Sequence, residues 1–159
     1  MDASKCLVRE VIGMEIRRMT EADLPEVCAI EKESFSDPWS EADFRDSLSD
    51  GKNGYLVAMI DGRVAGYCGC WGVAEEGDIY NVAVKKEYRR QHVGETLLKT
   101  LIKEFQRRGI TSFTLEVRAS NEPAIRLYES LGFQSAGIRK DFYSRPKEDA
   151  VIMWLNRIQ

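Results

Sequence analysis

Seven short segments of the chain, most of them rich in apolar residues and bounded by turn or helix signals, are predicted to be β-strands. An Asp61-Gly62 dipeptide separates two of these segments and is typical of a two-residue hairpin turn. The predicted strands are residues 14–19, 55–60, 63–73, 78–84, 112–117, 133–142 and 149–155.

Four other segments have the features of helices. The clearest is an apolar stripe over residues 93–105, which ends in Arg107-Arg108-Gly109, a typical helix C-terminus. Two helices are predicted between the first two strands, because Thr20 and Ser40 are each followed three residues later by aspartate, as in a capping box. Asn121 predicts the N-cap of a fourth helix before the last two strands.

The order of these elements is β-α-α-β-β-β-α-β-α-β-β. A run of antiparallel strands followed by two crossover helices predicts a mixed sheet with helices on both faces, an α/β (α+β) fold. At 159 residues the chain is expected to form one domain over residues 14–159. Residues 1–13 are expected to be an N-terminal tail.

Composition narrows the possible functions. The net charge of −3 gives no whole-chain basicity, so direct nucleic-acid binding is not expected. The four cysteines form no CxxC pair or His/Cys cluster, which argues against a metal site, and free thiols in a reducing cytosol are expected. The longest uncharged stretch is too short to span a bilayer, and the N-terminus has no apolar secretory signal. A cytoplasmic protein, monomeric or weakly oligomeric, is therefore expected.

The segment from residue 81 to residue 94 is the most informative for chemistry. A β-branched apolar stretch runs into a basic turn and then into an amphipathic helix. Backbone N–H groups of such a turn, together with the helix N-terminus, favour a polyphosphate ligand. The alternative interpretation of the basic residues is a solvated loop.

Four motifs make the chain resemble the GNAT superfamily of acetyl-coenzyme A-dependent N-acetyltransferases over about residues 14–157. Each pattern is weak alone, and the four in this order and spacing are specific. They are Asn81-Val82-Ala83-Val84, Tyr88-Arg89-Arg90-Gln91-His92-Val93-Gly94, Leu115-Glu116-Val117-Arg118-Ala119-Ser120-Asn121 and Leu127-Tyr128-Glu129-Ser130-Leu131-Gly132-Phe133. The resemblance implies a GNAT fold, with about seven strands and about four helices, and acetyl-coenzyme A as co-substrate.

The resemblance also implies which residues bind the coenzyme. The family's phosphate loop maps onto Arg89, Arg90, Gln91, His92, Val93 and Gly94. This chain departs from the family at His92, its only histidine, where glycine is usual. We expect an exposed loop residue there, with coenzyme binding retained and loop geometry altered. The backbone of Val82, Ala83 and Val84 is expected to pair with the pantetheine arm, and Asn121 to contact the coenzyme near its thioester.

Acetyl transfer to nitrogen needs a neutral amine, a proton acceptor and a proton donor for the departing thiolate. Deprotonating an α-amine of pKa about 7.7–8.0 costs about 1 kcal/mol at pH 7, whereas a lysine costs roughly 4–5 kcal/mol. By resemblance, Glu116 is the general base, and Tyr128 is the general acid and also binds the coenzyme. Without the resemblance, Glu116 reads as a surface carboxylate and Tyr128 as a half-buried packing residue.

A closer resemblance, to bacterial ribosomal-protein-alanine N-acetyltransferases, concerns the acceptor. It is carried by Phe35-Ser36-Asp37-Pro38-Trp39-Ser40, by the segment from Leu115 to Asn121 and by Asp149-Ala150-Val151-Ile152-Met153. It implies that Phe35, Trp39 and Tyr143 flank the N-terminal alanine of a small-subunit ribosomal protein. Packing is the alternative role for Trp39. A lysine or small-molecule amine acetyltransferase and a non-catalytic acyl-coenzyme A sensor are the alternative functions.

Overall fold

The computed structural model of this protein describes residues 13–156. One seven-stranded sheet has the strand order β1-β2-β3-β4-β5-β7-β6, with every neighbouring pair antiparallel except β4 and β5. The strands are β1 (Met14–Arg18), β2 (Asn53–Ile60), β3 (Arg63–Val73), β4 (Glu76–Val84), β5 (Ser112–Arg118), β6 (Gln134–Ser144) and β7 (Lys147–Asn156). The helices are α1 (Leu24–Ser34), α2 (Glu41–Ser49), α3 (Val93–Arg107) and α4 (Glu122–Ser130).

This architecture confirms the predicted fold class, element order and mixed sheet. Of the predicted tail only Gly13 is described, and residues 1–12 lie outside the described range, as do the last three residues of the expected domain. Within residues 13–156, no helix is long and apolar enough to cross a membrane.

Local chemistry explains where the helices begin. The Ser40 hydroxyl accepts the Asp43 N–H at 3.1 Å while the Asp43 carboxylate accepts the Ser40 N–H at 2.9 Å, a complete capping box. A similar box at Thr20 opens a 3-10 turn that precedes α1. The Asn121 side chain accepts the Ala124 N–H at the start of α4, as predicted. These caps satisfy N–H groups that the helices leave unpaired.

The two faces of the sheet carry separate apolar cores. On one face α3 and α4 cover a core that includes Leu97, Phe105, Leu115 and Met153. On the other face α1 and α2 cover a smaller core around Phe44 and residues such as Tyr55 and Tyr67. Cys68 and Cys70 are fully buried in the first core as free thiols, in agreement with the expectation of free cysteines.

The sheet is split at its centre. β4 and β5 pair in parallel over three positions only, Glu76 with Ser112, Gly77 with Phe113 and Asp78 with Thr114. Along the rest of β4, as far as Val84, the described ladder contains no pair with β5. β4 remains paired with β3 there, where a register shift lies between Tyr67 and Gly69. One edge of β4 therefore faces a gap, and we call this gap the central cleft.

Candidate functional site

Glu116 lies on β5 beside the central cleft. Its neighbours Leu115 and Val117 are buried in the core under α3 and α4, so strand alternation places Glu116 on the opposite face. The Glu116 carboxylate is 29% exposed and forms an ion pair with Arg139 of β6. The predicted base is therefore a half-buried carboxylate with a cationic partner that is itself largely exposed.

Tyr128 reaches the site from the other face of the sheet. It is 7% exposed in the core under α3 and α4, and its ring packs against Phe133 with 5.9 Å between centroids. Burial is the main cause that raises the pKa of Tyr128, with smaller contributions from Tyr143 and Cys68. A phenol of raised pKa keeps its proton at neutral pH, so Tyr128 can serve as a proton donor. It is buried more completely than the sequence indicated.

Tyr143 links these two residues electrostatically. Its pKa is raised first by burial and then by Glu116, while the nearby Arg118 guanidinium lowers it. Because Tyr143 also raises the pKa of Tyr128, it lies within electrostatic range of both the predicted base and the predicted acid. The structure thus groups three of the predicted site residues, two of them from different faces of the sheet.

Asp78 is a member of this group that sequence reasoning missed. It lies at the last β4–β5 pair, opposite Thr114, and Thr114 and Glu116 share a face of β5. Asp78 is exposed to solvent on one side. Its pKa is raised, first by partial desolvation and then by the negative charge of Glu116, while the positive charge of Arg139 lowers it. Its proximity to Glu116 depends on the parallel register of two strands distant in the chain, which no local pattern in the sequence specifies.

The predicted phosphate loop is an exposed turn leading into α3. Arg90 and His92 both have left-handed backbone conformations, with φ of 66° and 62°. This is the conformation that glycine adopts most easily, which explains why glycine is usual in the family where this chain has His92. The His92 side chain is 78% exposed and its Nδ1 lies 3.4 Å from a Glu95 carboxylate oxygen. The expectation of an exposed loop residue at His92 is confirmed.

Other predicted coenzyme residues lie along the same edge of the molecule. Val82 and Val84 are half-buried and Ala83 is buried, on the part of β4 that faces the central cleft. Arg89 donates from Nε to the Val84 carbonyl at 3.1 Å, which ties the turn to the end of β4. Arg89 and Gln91 are exposed, whereas Val93 is buried and Gly94 is half-buried in the first turn of α3. The cleft edge of β4 therefore continues directly into the basic turn.

The loop between α1 and α2 borders the site on the face that carries Glu116. Phe35 is 39% exposed in this loop. Trp39 is half-buried, with centroid distances of 5.2 Å to Phe44 and 5.7 Å to Tyr80, so its ring has a packing role. Asp37 lies 3.4 Å from the Arg145 guanidinium in the turn between β6 and β7. The loop with Phe35 and the hairpin with Tyr143 thus meet beside the central cleft.

This arrangement provides a cleft edge for an extended ligand, an exposed basic turn at one end, and a carboxylate and a buried phenol near Tyr143. Within the described part of the chain, no group of three or more His, Cys, Asp or Glu side chains is arranged to hold a metal ion.

Comparisons with known proteins agree with this geometry. Residues 24–133 match the Acetyltransferase (GNAT) family. A Bacillus subtilis (strain 168) protein, provisionally named a ribosomal protein bS18-alanine N-acetyltransferase, is 42% identical over 141 residues, which are 88% of this chain and 93% of the relative. The Escherichia coli (strain K12) protein named ribosomal protein bS18-alanine N-acetyltransferase is 39% identical over 142 residues, 88% of this chain and 95% of the relative.

A solved structure shows the same similarity in three dimensions. The crystal structure of the ribosomal-protein-S18-alanine N-acetyltransferase from Escherichia coli superposes with a TM-score of 0.84 at 37% sequence identity. The match covers 92% of this chain and 95% of that chain.

Proposed function

This chain belongs to the GNAT family and is an N-acetyltransferase, and on that premise we propose that it acetylates the N-terminal α-amine of a protein. The proposed acceptor is the N-terminal alanine of a small-subunit ribosomal protein, the activity for which the relatives in Bacillus subtilis and Escherichia coli are named. The observation that carries the proposal is the half-buried Glu116 carboxylate beside the central cleft, whose charge acts on Tyr143, which in turn acts on the buried Tyr128 phenol.

Glu116 is proposed as the general base. The acceptor enters as an α-ammonium with a pKa of about 7.7–8.0, so removal of its proton costs about 1 kcal/mol at pH 7. A half-buried carboxylate on the face that also carries the loop with Phe35 can take this proton, directly or through water. Arg139 is largely exposed, so it can swing away into solvent and leave the carboxylate free for an incoming ammonium group.

Tyr128 is proposed as the general acid. The amine nitrogen forms a bond to the thioester carbonyl carbon, the carbon–sulfur bond breaks, and the departing thiolate takes a proton. The Tyr128 hydroxyl can supply that proton because a phenol with an ordinary pKa of about 10 is protonated at physiological pH, and burial raises the pKa of Tyr128 further. None of the cysteines is needed as a nucleophile in this direct transfer.

Acetyl-coenzyme A is the proposed donor, and its thioester would supply the acetyl group. The chain offers a site of the right shape and charge. The cleft edge of β4 at Val82, Ala83 and Val84 has backbone groups without β5 partners in the described ladder, so it can pair with the pantetheine arm. Backbone N–H groups of the turn from Arg89 to Gly94 and the N-terminus of α3 suit the pyrophosphate. Asn121 and Tyr128 are proposed to lie near the thioester.

The acceptor is proposed to lie between the α1–α2 loop and the β6–β7 hairpin. Phe35 and Tyr143 present aromatic surface on the two sides, and Trp39 supports the loop through its contacts with Phe44 and Tyr80. Aromatic surface at this place would exclude water from the reacting amine. A cytoplasmic location and a single domain over residues 14–159 complete the proposal.

The test is thiol release from acetyl-coenzyme A with a peptide that begins with the ribosomal N-terminal alanine. The same peptide with a blocked N-terminus is the matched control. Turnover with the free peptide alone is the expected result. Equal turnover with both peptides would assign the enzyme to lysine side chains. Coenzyme binding without turnover on either peptide would favour a small-molecule acceptor or a sensor.

A further inference from the structure

Arg118, the last residue of β5, connects the two segments that border the proposed acceptor site, the β6–β7 hairpin and the α1–α2 loop. Its guanidinium carbon lies 4.3 Å from the centroid of the Tyr143 ring, in stacking contact. Its Nη1 donates to the Pro146 carbonyl at 2.9 Å, and its Nη2 donates to the Arg145 carbonyl at 3.3 Å. Nη2 also lies 3.5 Å from the Ser36 hydroxyl of the α1–α2 loop. One side chain therefore touches the hairpin, its aromatic residue and the loop opposite.

Glu148 of β7 extends this connection to α4. Its Oε1 accepts from Arg118 Nη1 at 3.1 Å, and its Oε2 accepts the Ser120 backbone N–H at 2.6 Å. Hydrogen bonds from Ser120 and the charge and hydrogen bond of Arg118 lower the pKa of Glu148. Ser120 directly precedes Asn121, the cap of the helix that carries Tyr128. The Arg118–Glu148 pair thus lies between the acceptor side and the proton-donor side of the site.

We propose that Arg118, held by Glu148, is a positioning residue that sets the affinity of the enzyme for its acceptor peptide. It does so by fixing the Tyr143 ring and the α1–α2 loop at a set distance across the entrance to Glu116. The inference rests on the proposed function, because it concerns the acceptor of that reaction. Arg118 does not act on the reacting atoms and leaves the coenzyme site unchanged.

The planar guanidinium is what makes this role specific. Its N–H groups donate hydrogen bonds to two backbone carbonyls and a carboxylate while its flat face stacks on the Tyr143 ring. A lysine keeps the charge but has one ammonium group and no flat face, so it cannot make these contacts together. The geometry is also well sheltered, since the side chains of Arg118 and Glu148 are 25% and 18% exposed.

The experiment compares Arg118→Lys and Glu148→Gln with wild type and with a matched control, Arg45→Lys. Arg45 forms ion pairs with Glu21 and Glu41, and all three side chains are about half exposed or more. For each protein, at one pH, we would measure KM and kcat with the peptide that begins with alanine, and the Kd for acetyl-coenzyme A. We expect Arg118→Lys to raise the peptide KM about tenfold, from the loss of charge-assisted bonds and the stacked ring. The coenzyme Kd should stay within about twofold of wild type, because the contacts of Arg118 among the described residues are with the β6–β7 hairpin, the α1–α2 loop and Glu148.

Glu148→Gln keeps the shape of the side chain and removes its charge, so it should raise the peptide KM in the same direction by a smaller factor. A drop in kcat with unchanged KM in Arg118→Lys, or an equal rise in KM in Arg45→Lys, would overturn the inference. Trypsin cleavage after the exposed Lys147 provides a readout that needs no substrate, and it should become faster in Arg118→Lys but not in Arg45→Lys. Unchanged cleavage in Arg118→Lys would equally count against the positioning role.

The two proposals fail separately in this design. A wild-type protein that binds acetyl-coenzyme A but does not acetylate the alanine peptide refutes the proposed acceptor. The trypsin comparison still decides whether Arg118 holds the hairpin.

Discussion

At the scale of single residues, the ion pair between Glu116 and Arg139 defines the resting state of the proposed site. This ion pair occupies the carboxylate while the acceptor is absent, with Arg139 58% and Glu116 29% exposed. An incoming α-ammonium group brings its own positive charge and can replace Arg139 as the partner of Glu116. Acceptor binding and release of the Glu116 carboxylate from Arg139 are in this way the same event.

Glu116→Gln is expected to lower kcat/KM by a factor of about 10²–10⁴, the usual contribution of a general base. Raising the pH should partly restore the rate, because the fraction of acceptor that is already a free amine increases through its pKa of about 7.7–8.0. The measurement is the pH–rate profile of the variant beside wild type, with acetyl-coenzyme A affinity as the control for an intact site. A wild-type rate across neutral pH would remove Glu116 as the base.

His92 gives a second prediction at this scale. The residue has a left-handed backbone conformation, and its side chain lies at the turn proposed to face the pyrophosphate. His92→Gly should relieve the backbone strain and open the approach, so we expect the Kd for acetyl-coenzyme A to fall about threefold, a change of about 0.7 kcal/mol. Titration calorimetry measures this, with Glu95→Gln as a control that removes the carboxylate charge beside His92 and Lys99 and leaves the backbone of the turn unchanged. Tenfold weaker binding in His92→Gly would instead show that the imidazole itself contacts the coenzyme.

At the scale of elements, caps and turns were the most reliable signals in the sequence. Ser40 with Asp43, Asn121 and the Asp61-Gly62 turn all have the conformations that the sequence predicted. Their signals are local, because the hydrogen bonds that fix them join residues three positions apart or fewer. The strand boundaries were less accurate. β2, β4 and β7 begin two residues earlier than predicted, β6 begins one residue later and ends two residues later, and the ends of β1, β5 and β7 differ by one residue.

β6 shows why boundaries failed. The strand is exposed along most of its length at the edge of the sheet and contains two register shifts. An exposed edge strand has no buried side, so hydrophobic alternation does not mark where it starts or ends. The same limit applies to the site, because the partners Arg139 and Asp78 reach Glu116 only through pairing between strands far apart in the chain. The motifs predicted Glu116 and Tyr128, but not the charges around them.

Asn121 allows a prediction at this scale because two roles are assigned to it. Asn121→Ala removes the cap of α4 and should lower the free energy of unfolding by about 1 kcal/mol. Asn121→Ser retains a capping hydroxyl, so its stability should stay close to wild type. If Asn121 also contacts the coenzyme near the thioester, both variants should lose kcat/KM. Urea denaturation and steady-state kinetics separate the two roles, and equal destabilisation of both variants would contradict the capping assignment.

At the scale of the whole molecule, the central cleft divides the sheet into two parts that share three residue pairs. Strands β1 to β4 carry the α1–α2 core and most contacts of α3, while β5 to β7 carry the acceptor hairpin. The proposed ligand would bridge the two parts along the cleft edge of β4. Binding should therefore stabilise the fold as well as fill a site.

We expect acetyl-coenzyme A at a hundred times its Kd to add about 2.7 kcal/mol to the free energy of unfolding. For a domain of this size that corresponds to an increase in Tm of about 5–10 °C. Differential scanning calorimetry measures the shift. Pantetheine, which lacks the nucleotide that the basic turn would hold, is the matched control and should give a much smaller increase. An unchanged Tm at saturating coenzyme would rule out the cleft as its binding site.

The split sheet also has a consequence for the behaviour of the protein in solution. An ordinary open sheet has two edges, whereas a sheet that parts at its centre has two more, and an unpaired edge is a template for another strand. The bound coenzyme would cover the edge that β4 presents. Bound coenzyme would then prevent the β4 edge from pairing with a strand of another molecule. The coenzyme-free protein should therefore aggregate first in storage or at high concentration.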